Sequence, residues 1–212
     1  MRTLVIDCAT QALSIALFNE DAVMAHRHQI LGRGHAEALV PLIEDMLAGG
    51  RADAIAVDVG PGSFTGIRVG IAAARALGFA WNVPVTGYDC LSLCAAIARR
   101  DGAPSAEPIA IVMIGGHGEL FWQYFDSEDL TPLGPLESTP IAALAAKLTD
   151  ARVHGSGAEM LVEARGWGEA IACLPDATAY PLLPDGHRNL PPSAIYGREA
   201  DAKPMTAPGS AR

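Results

Sequence analysis

The sequence predicts an α/β protein built on a mixed β-sheet, and three observations carry that prediction. Three short apolar runs separated by polar turns open the chain. From residue 54 onward, strand-like and helix-like segments alternate. Between these two regimes stands Gly60 to Gly78, GPGSFTGIRVGIAAARALG, a tight turn feeding a helix rich in small residues.

Thr3 to Asp7, Ala12 to Phe18 and Ala22 to His28 read as strands, with Cys8–Gln11 and Asn19–Asp21 as the turns between them. His35 to Leu47 then sets Leu39, Leu42, Ile43, Met46 and Leu47 on one helical face; Pro41, lacking a donor, should kink this helix or mark its start, and Gly49 and Gly50 end it. Ala54 to Val59 is a strand, Gly60, Pro61 and Gly62 are the turn, and Ser63 or Thr65 caps a helix running past Arg75. A strand at Pro84–Gly87 and a helix from Leu91 to Arg100 complete the order βββαβαβα. That is the pattern of a ribonuclease-H-like mixed sheet, with the helices placed by right-handed crossovers.

Asp101 to Pro108 is the expected hinge. Beyond it, Pro108–Ile114 and Glu119–Phe125 read as a strand pair and Ile141–Leu148 as a helix; further on the periodicity weakens, and Pro181 to Arg212 is rich in Pro and Gly. The expected organisation is a first subdomain at 1–104, a smaller, truncated one of related topology at 105–203, and a disordered tail at 204–212.

In the helix after the turn, Gly66, Gly70, Ala74 and Gly78 fall four apart on one stripe. Each internal glycine costs about 1 kcal/mol relative to alanine, so the stripe predicts that another backbone approaches closer than the usual 8 to 10 Å between helix axes. The expected neighbour is a helix of a partner, with Arg68 and Arg75 on the rim of the contact. Gly70→Val should then harm association more than folding, and the isolated chain should cover the stripe by forming a two-fold homodimer.

A net charge of −9 with no basic run argues against a nucleic-acid footprint of the chain's own. No leader-like segment precedes Thr3, and no apolar run approaches the roughly 20 residues of a spanning helix, so a cytoplasmic chain without membrane contact is expected. The four cysteines lack CxxC spacing, and there is no GxxxxGK[ST], HExxH or GxSxG. Asp7, at a strand end, is of the type that holds Mg²⁺ or a water, but with no second ligand visible its favoured role is hydrogen bonding to the next turn. His26 and His28 share one face of a strand and could chelate a metal, but no third ligand stands near them in sequence. Cys90 and Cys94 read as core thiols, and no stoichiometric zinc or iron is expected.

Several segments together resemble the bacterial TsaB (YeaZ) family. They are Asp7-Cys8-Ala9-Thr10, His35-Ala36-Glu37 followed by Leu39, Val40 and Pro41, GPGSFTGIRVG, Pro84-Val85-Thr86-Gly87, Gly118-Glu119 with Trp122, Tyr196-Gly197-Arg198 and Ala202-Lys203-Pro204. Two departures stand out. The family usually shows Asp-Thr-Ser-Thr at residues 7–10, and an Asp-Ala-Arg run where this chain has Ile114, Gly115, Gly116 and His117.

The resemblance implies an actin-like ATPase (ASKHA) fold and a subunit without catalysis of its own. Its implied partner is TsaD, which transfers a threonylcarbamoyl group to the adenosine beside the anticodon of tRNAs reading codons that begin with A. TsaC would supply threonylcarbamoyl-AMP and TsaE would join the pair; ATP and metal would sit on TsaD or TsaE, and tRNA would be met only through the complex. The implied partner-binding residues are His35, Leu39, Leu42, Ile43, Thr65, Gly66, Arg68, Val69, Gly70, Ala73, Ala74 and Arg75, and Asp7 and Thr10 are what remains of a nucleotide loop. Cys90 and Cys94 fall where TsaD carries its two metal-binding histidines. The rival reading is a stand-alone ATP-dependent phosphotransferase of the same superfamily.

Overall fold

The computed structural model describes residues 1–104 and 107–197. The tail expected at 204–212 and the family-like Arg198, Ala202, Lys203 and Pro204 lie outside the described residues. The first half runs β1 (Arg2–Asp7), β2 (Ala12–Asn19), β3 (Ala22–Ile30), α1 (His35–Leu47), β4 (Ala54–Asp58), α2 (Phe64–Trp81), β5 (Val85–Tyr88) and α3 (Cys90–Arg100). Its sheet has the order β3-β2-β1-β4-β5, antiparallel from β3 to β1 and parallel from β1 to β5. Leu4, Val5 and Ile6 of the central strand are fully buried, as parallel strands covered on both faces require.

The second half repeats this plan. It comprises β6 (Ile109–Gly116), β7 (Glu119–Phe125), β8 (Glu137–Pro140), α4 (Ile141–Lys147), β9 (Arg152–His154), α5 (Ala158–Arg165) and β10 (Glu169–Ile171). Read as β8-β7-β6-β9-β10, its sheet is again antiparallel on one side of the first strand and parallel on the other. All five strands are kept, so the truncation lies in length: β8, β9 and β10 have four, three and three residues, and α4 and α5 only seven and eight.

Helix α1 begins at His35 with Pro41 inside it, so the proline does not mark its start. Pro41 is exposed, and the carbonyl it leaves unpaired belongs to Glu37, also exposed. Helix α2 is capped by Ser63, whose Oγ accepts from Gly66 N at 3.2 Å. Helix α3 is buried all round from Cys90 to Ala98, because it lies between the second sheet and a 3₁₀ turn, Ala177–Leu182, that returns from the second half.

That return divides the stretch expected to form the second subdomain. The second half has its own core of Ala110, Val112, Leu120, Trp122, Leu144, Leu148, Val153, Ala158 and Leu161. Cys173, Ala177, Ala179 and Leu183 instead fill the first core. A strap then follows the first sheet: Gly87 and Leu190 exchange backbone hydrogen bonds at 2.6 and 2.9 Å, and Ile195 N donates to Val59 O at 2.7 Å. Among the described residues, no helix is long and apolar enough to cross a membrane.

Candidate functional site

Between the halves lies a cleft of about 920 Å³. One wall is the Ala9–Gln11 loop and the Gly62–Phe64 turn, the other the β6–β7 hairpin at Ile114–His117, and the strap closes one end with Ile195, Tyr196 and Gly197. The glycine turn is shaped by contact with the first loop. A Cβ on Gly62 would lie 2.2 Å from Ala9 O, and Ser63 N donates to that same carbonyl at 2.7 Å. His117 holds a left-handed φ of 54° between Gly116 and Gly118, both also at positive φ, which is how so tight a hairpin turns.

At the strap end, the Phe64 and Tyr196 ring centres are 5.7 Å apart. The Arg68 guanidinium lies 3.6 Å from the Phe64 centroid and donates through Nε and Nη2 to Tyr196 Oη at 3.1 and 2.9 Å. One helical turn pair further on, Arg75 Nη2 donates to Pro192 O at 2.7 Å. The two arginines expected at the rim of an interface therefore hold the strap against α2.

Thr10 lines the cleft; Asp7 does not. Asp7 ends β1 and Asp58 ends the parallel strand β4, which brings the two carboxyls together in the interior. Asp7 Oδ1 accepts from Ala9 N at 3.2 Å, and Oδ2 lies 3.2 Å from the Tyr88 hydroxyl. Asp58 Oδ1 accepts from Gly60 N at 2.8 Å, while its Oδ2 has no donor from another group. Burial pushes the Asp7 carboxyl up to about 7, against the pull of Ala9 N and Tyr88, and with Asp7 beside it drives Asp58 well above the carboxylate range. Among the described residues, the cleft lining offers Arg68 and His117 as charged or chargeable nitrogen groups, and no carboxylate.

The small-residue stripe faces inward, onto this chain's own sheet. A Cβ on Gly66 would lie 2.0 Å from Cys8 O; one on Gly70 would lie 3.5 Å from Cys8 Cβ and Val57 Cγ2; and one on Gly78 would lie 2.3 Å from Val85 Cγ2. The close approach predicted from sequence is real, but the neighbouring backbone is that of Cys8, just past the end of β1, and not a partner helix. Gly66, Gly70 and Ala74 are thus core positions, as are His35, Leu39 and Ile43 of α1. Thr65 is exposed, and Leu42, Val69 and Ala73 are half-buried where α1 and α2 pack side by side.

Cys90 Sγ donates to Pro61 O at 2.8 Å, Cys173 Sγ lies 3.8 Å from Cys94 O, and both Cys90 and Cys94 are fully buried. His26 and His28 do share a face of β3, and the absence of a third ligand does not hold: Asp176, remote in sequence, joins them. Sequence reasoning missed Asp58 and Phe64, and marked Tyr196 only as part of the resemblance, without its contact to Arg68. For Asp58 a signal existed, since it closes an apolar strand as Asp7 does; for Asp176 and Tyr196 nothing local marks the partner they meet.

Four matches to known proteins bear on this geometry. The family model described as TsaD, tRNA N6-adenosine threonylcarbamoyltransferase, matches residues 27–131. The Escherichia coli (strain K12) tRNA threonylcarbamoyladenosine biosynthesis protein TsaB is 31% identical, over 79% of this chain and 72% of that one. A tRNA N6-adenosine threonylcarbamoyltransferase of Corynebacterium diphtheriae is 36% identical, over 43% of this chain and 27% of its own length. Among solved structures, YeaZ from Pseudomonas aeruginosa superposes with a TM-score of 0.75 at 26% identity, covering 92% of this chain and 100% of that one.

Proposed function

This chain belongs to the TsaB family, and on that premise we propose that it serves threonylcarbamoyladenosine formation in tRNA as the non-catalytic partner of TsaD. It docks through the outward faces of α1 and α2; TsaE joins the pair, tRNA is met only through the complex, and the work is done in the cytoplasm. The observation that carries this reading is the character of those faces. Helix α1 exposes Ala36 and Val40, the latter 51% accessible, and α2 exposes Thr65, Ala72, Ala76 and, at 91%, Phe79, with Leu42, Val69 and Ala73 half-covered between them. An unpartnered surface of small and apolar side chains on two adjacent helices suits helix-on-helix association. The cleft supports the same division of labour, since Asp7 and Asp58, the carboxyls that a metal–nucleotide complex would need, are buried outside its lining.

Co-elution with TsaD of the same organism on size exclusion tests the proposal. Val40→Asp and Ala72→Glu place a charge on the contact and should weaken the complex at least about tenfold, with melting temperatures unchanged. A complex that survives both substitutions refutes the docking face. Sub-micromolar binding of ATP and Mg²⁺ to the isolated chain, read by calorimetry, would favour a phosphotransferase instead. Where TsaD is absent, the same faces should pair two copies of the chain.

A further inference from the structure

We propose that His26, His28 and Asp176 form a binding site for a divalent first-row transition metal, with zinc as the ion its donors suit best. Strand β3 lies at the edge of the first sheet, and Arg27 reaches α1, donating to Asp45 Oδ2 at 2.7 Å. Strand alternation then sends His26 and His28 to the opposite face, where their ring centres lie 6.2 Å apart. The chain returning from the second half crosses that face. Ser14, paired with His28 across β2 and β3, accepts from Ala177 N through Oγ at 2.9 Å, which fixes the residue next to Asp176. Asp176 Oδ1 comes to lie 3.2 Å from His26 Nε2, and Oδ2 3.9 Å from His28 Nδ1; ligand atoms of all three residues lie within 4.8 Å of one another.

Two features separate this cluster from a surface ion pair. His26 Nε2 is shut off from solvent yet has no hydrogen-bond partner, since Asp176 is near but out of line; a metal ion would satisfy that nitrogen. Asp176 Oδ1 is held by Thr178 N at 2.8 Å and Thr178 Oγ1 at 2.6 Å, as carboxylate ligands are commonly held from behind, leaving Oδ2 free to bind. Two imidazoles and one carboxylate suit zinc with a fourth position open, whereas Mg²⁺ and Ca²⁺ favour oxygen donors throughout. Zinc bonds of about 2.0 to 2.1 Å set tetrahedral donors roughly 3.4 Å apart, against separations of 3.2 and 3.9 Å between Asp176 and the two imidazoles here. The ion would staple the edge strand to the returning segment and bind only the folded chain.

The test titrates untagged, chelator-stripped full-length chain with ZnCl₂, and with CoCl₂ as a spectroscopic probe. One equivalent of zinc should bind, raising the melting temperature by about 5 to 10 °C at a hundredfold excess over Kd, and Co²⁺ should develop visible d–d absorption. His28→Ala and Asp176→Asn should each abolish both effects, while His117→Ala should leave them intact and Mg²⁺ should produce neither. Asp176→Asn keeps an acceptor for Thr178, so it decides the matter should His28→Ala fold poorly. Uptake that does not saturate below millimolar zinc, or that is unchanged in these variants, overturns the site.

Discussion

Alanine at Gly66 and at Gly70 should have opposite effects on the stability of the fold. At Gly66 the new Cβ would stand 2.0 Å from the carbonyl oxygen of Cys8 and 3.2 Å from its carbon. These are backbone atoms of a buried loop, which cannot swing aside as a side-chain tip can. Overpacking costs typically about 1 to 3 kcal/mol, and a backbone clash belongs at the upper end. Replacing glycine in a helix returns about 1 kcal/mol, so the net loss is about 2 kcal/mol, or roughly 4 to 8 °C in melting temperature for a chain of this length. At Gly70 the Cβ would meet Cys8 Cβ and Val57 Cγ2 at 3.5 Å, an ordinary contact; there the helical gain survives, and Gly70→Ala should melt about 2 to 4 °C higher. Gly70→Val adds two branched methyls against the same neighbours and should destabilise the fold, reversing the expectation that it would chiefly harm association. Thermal denaturation followed by circular dichroism, with sedimentation velocity alongside, measures all three. If Gly66→Ala melts with the parent chain, or loses a dimer while keeping its melting temperature, the stripe is not packed on Cys8 and the sheet.

Two further outcomes follow from the site. Because burial raises the Asp7 carboxyl to about 7 and Asp58 above its ordinary range, while both titrate near 3.8 when unfolded, the native chain holds more protons between those values. The pair's contribution to stability therefore falls as pH rises from about 4 to about 7; Asp58→Asn, which keeps the acceptor for Gly60 N, should show a shallower fall in denaturant titrations, and an identical slope would mean that the pair is ionised in the fold. Arg75→Ala removes the hydrogen bond to Pro192 O and should speed amide exchange across residues 190–197 with little change in melting temperature; unaltered exchange would show that the strap is held by its backbone pairing alone.

What the sequence disclosed follows the physics of each stretch. Long periodic segments declare themselves: α1 lies at His35–Leu47 as read, and β1, β2, β4 and β7 fall within a residue or two of expectation. Strands of three residues such as β9 and β10 are too short for alternation to register, and β9 acquires its partners only from β6 and β10. The glycine stripe shows the same boundary at one site. Spacing established that a backbone comes close, but a helix can meet its own sheet or another molecule through the same small residues, and only the placement of Cys8 and Val57 tells which. The arginines Arg68 and Arg75 were visible as a pair on one helix, yet Tyr196 and Pro192, more than a hundred residues later, decide what they do. His26 and His28 likewise showed their common face, while Asp176 arrives through a path no local pattern records.

The return of residues 173–197 onto the first core bears on how the chain is made. A ribosome releases β1 to α3 early, but at that moment the sites of Cys173, Ala177, Ala179 and Leu183 in the first core have nothing to fill them, and Val59 and Gly87 lack the strap. The second half closes one face of its sheet with residues up to Leu161, while Ile109, Ile111, Met113 and Phe125 on its other face join the first core. The core of the part synthesised first is thus closed only by residues made after the second sheet, in contrast to the usual N-terminal-first order of co-translational folding. A nascent chain stalled just past Ile171 would leave the shared first core open at the places that Cys173, Ala177, Ala179 and Leu183 fill.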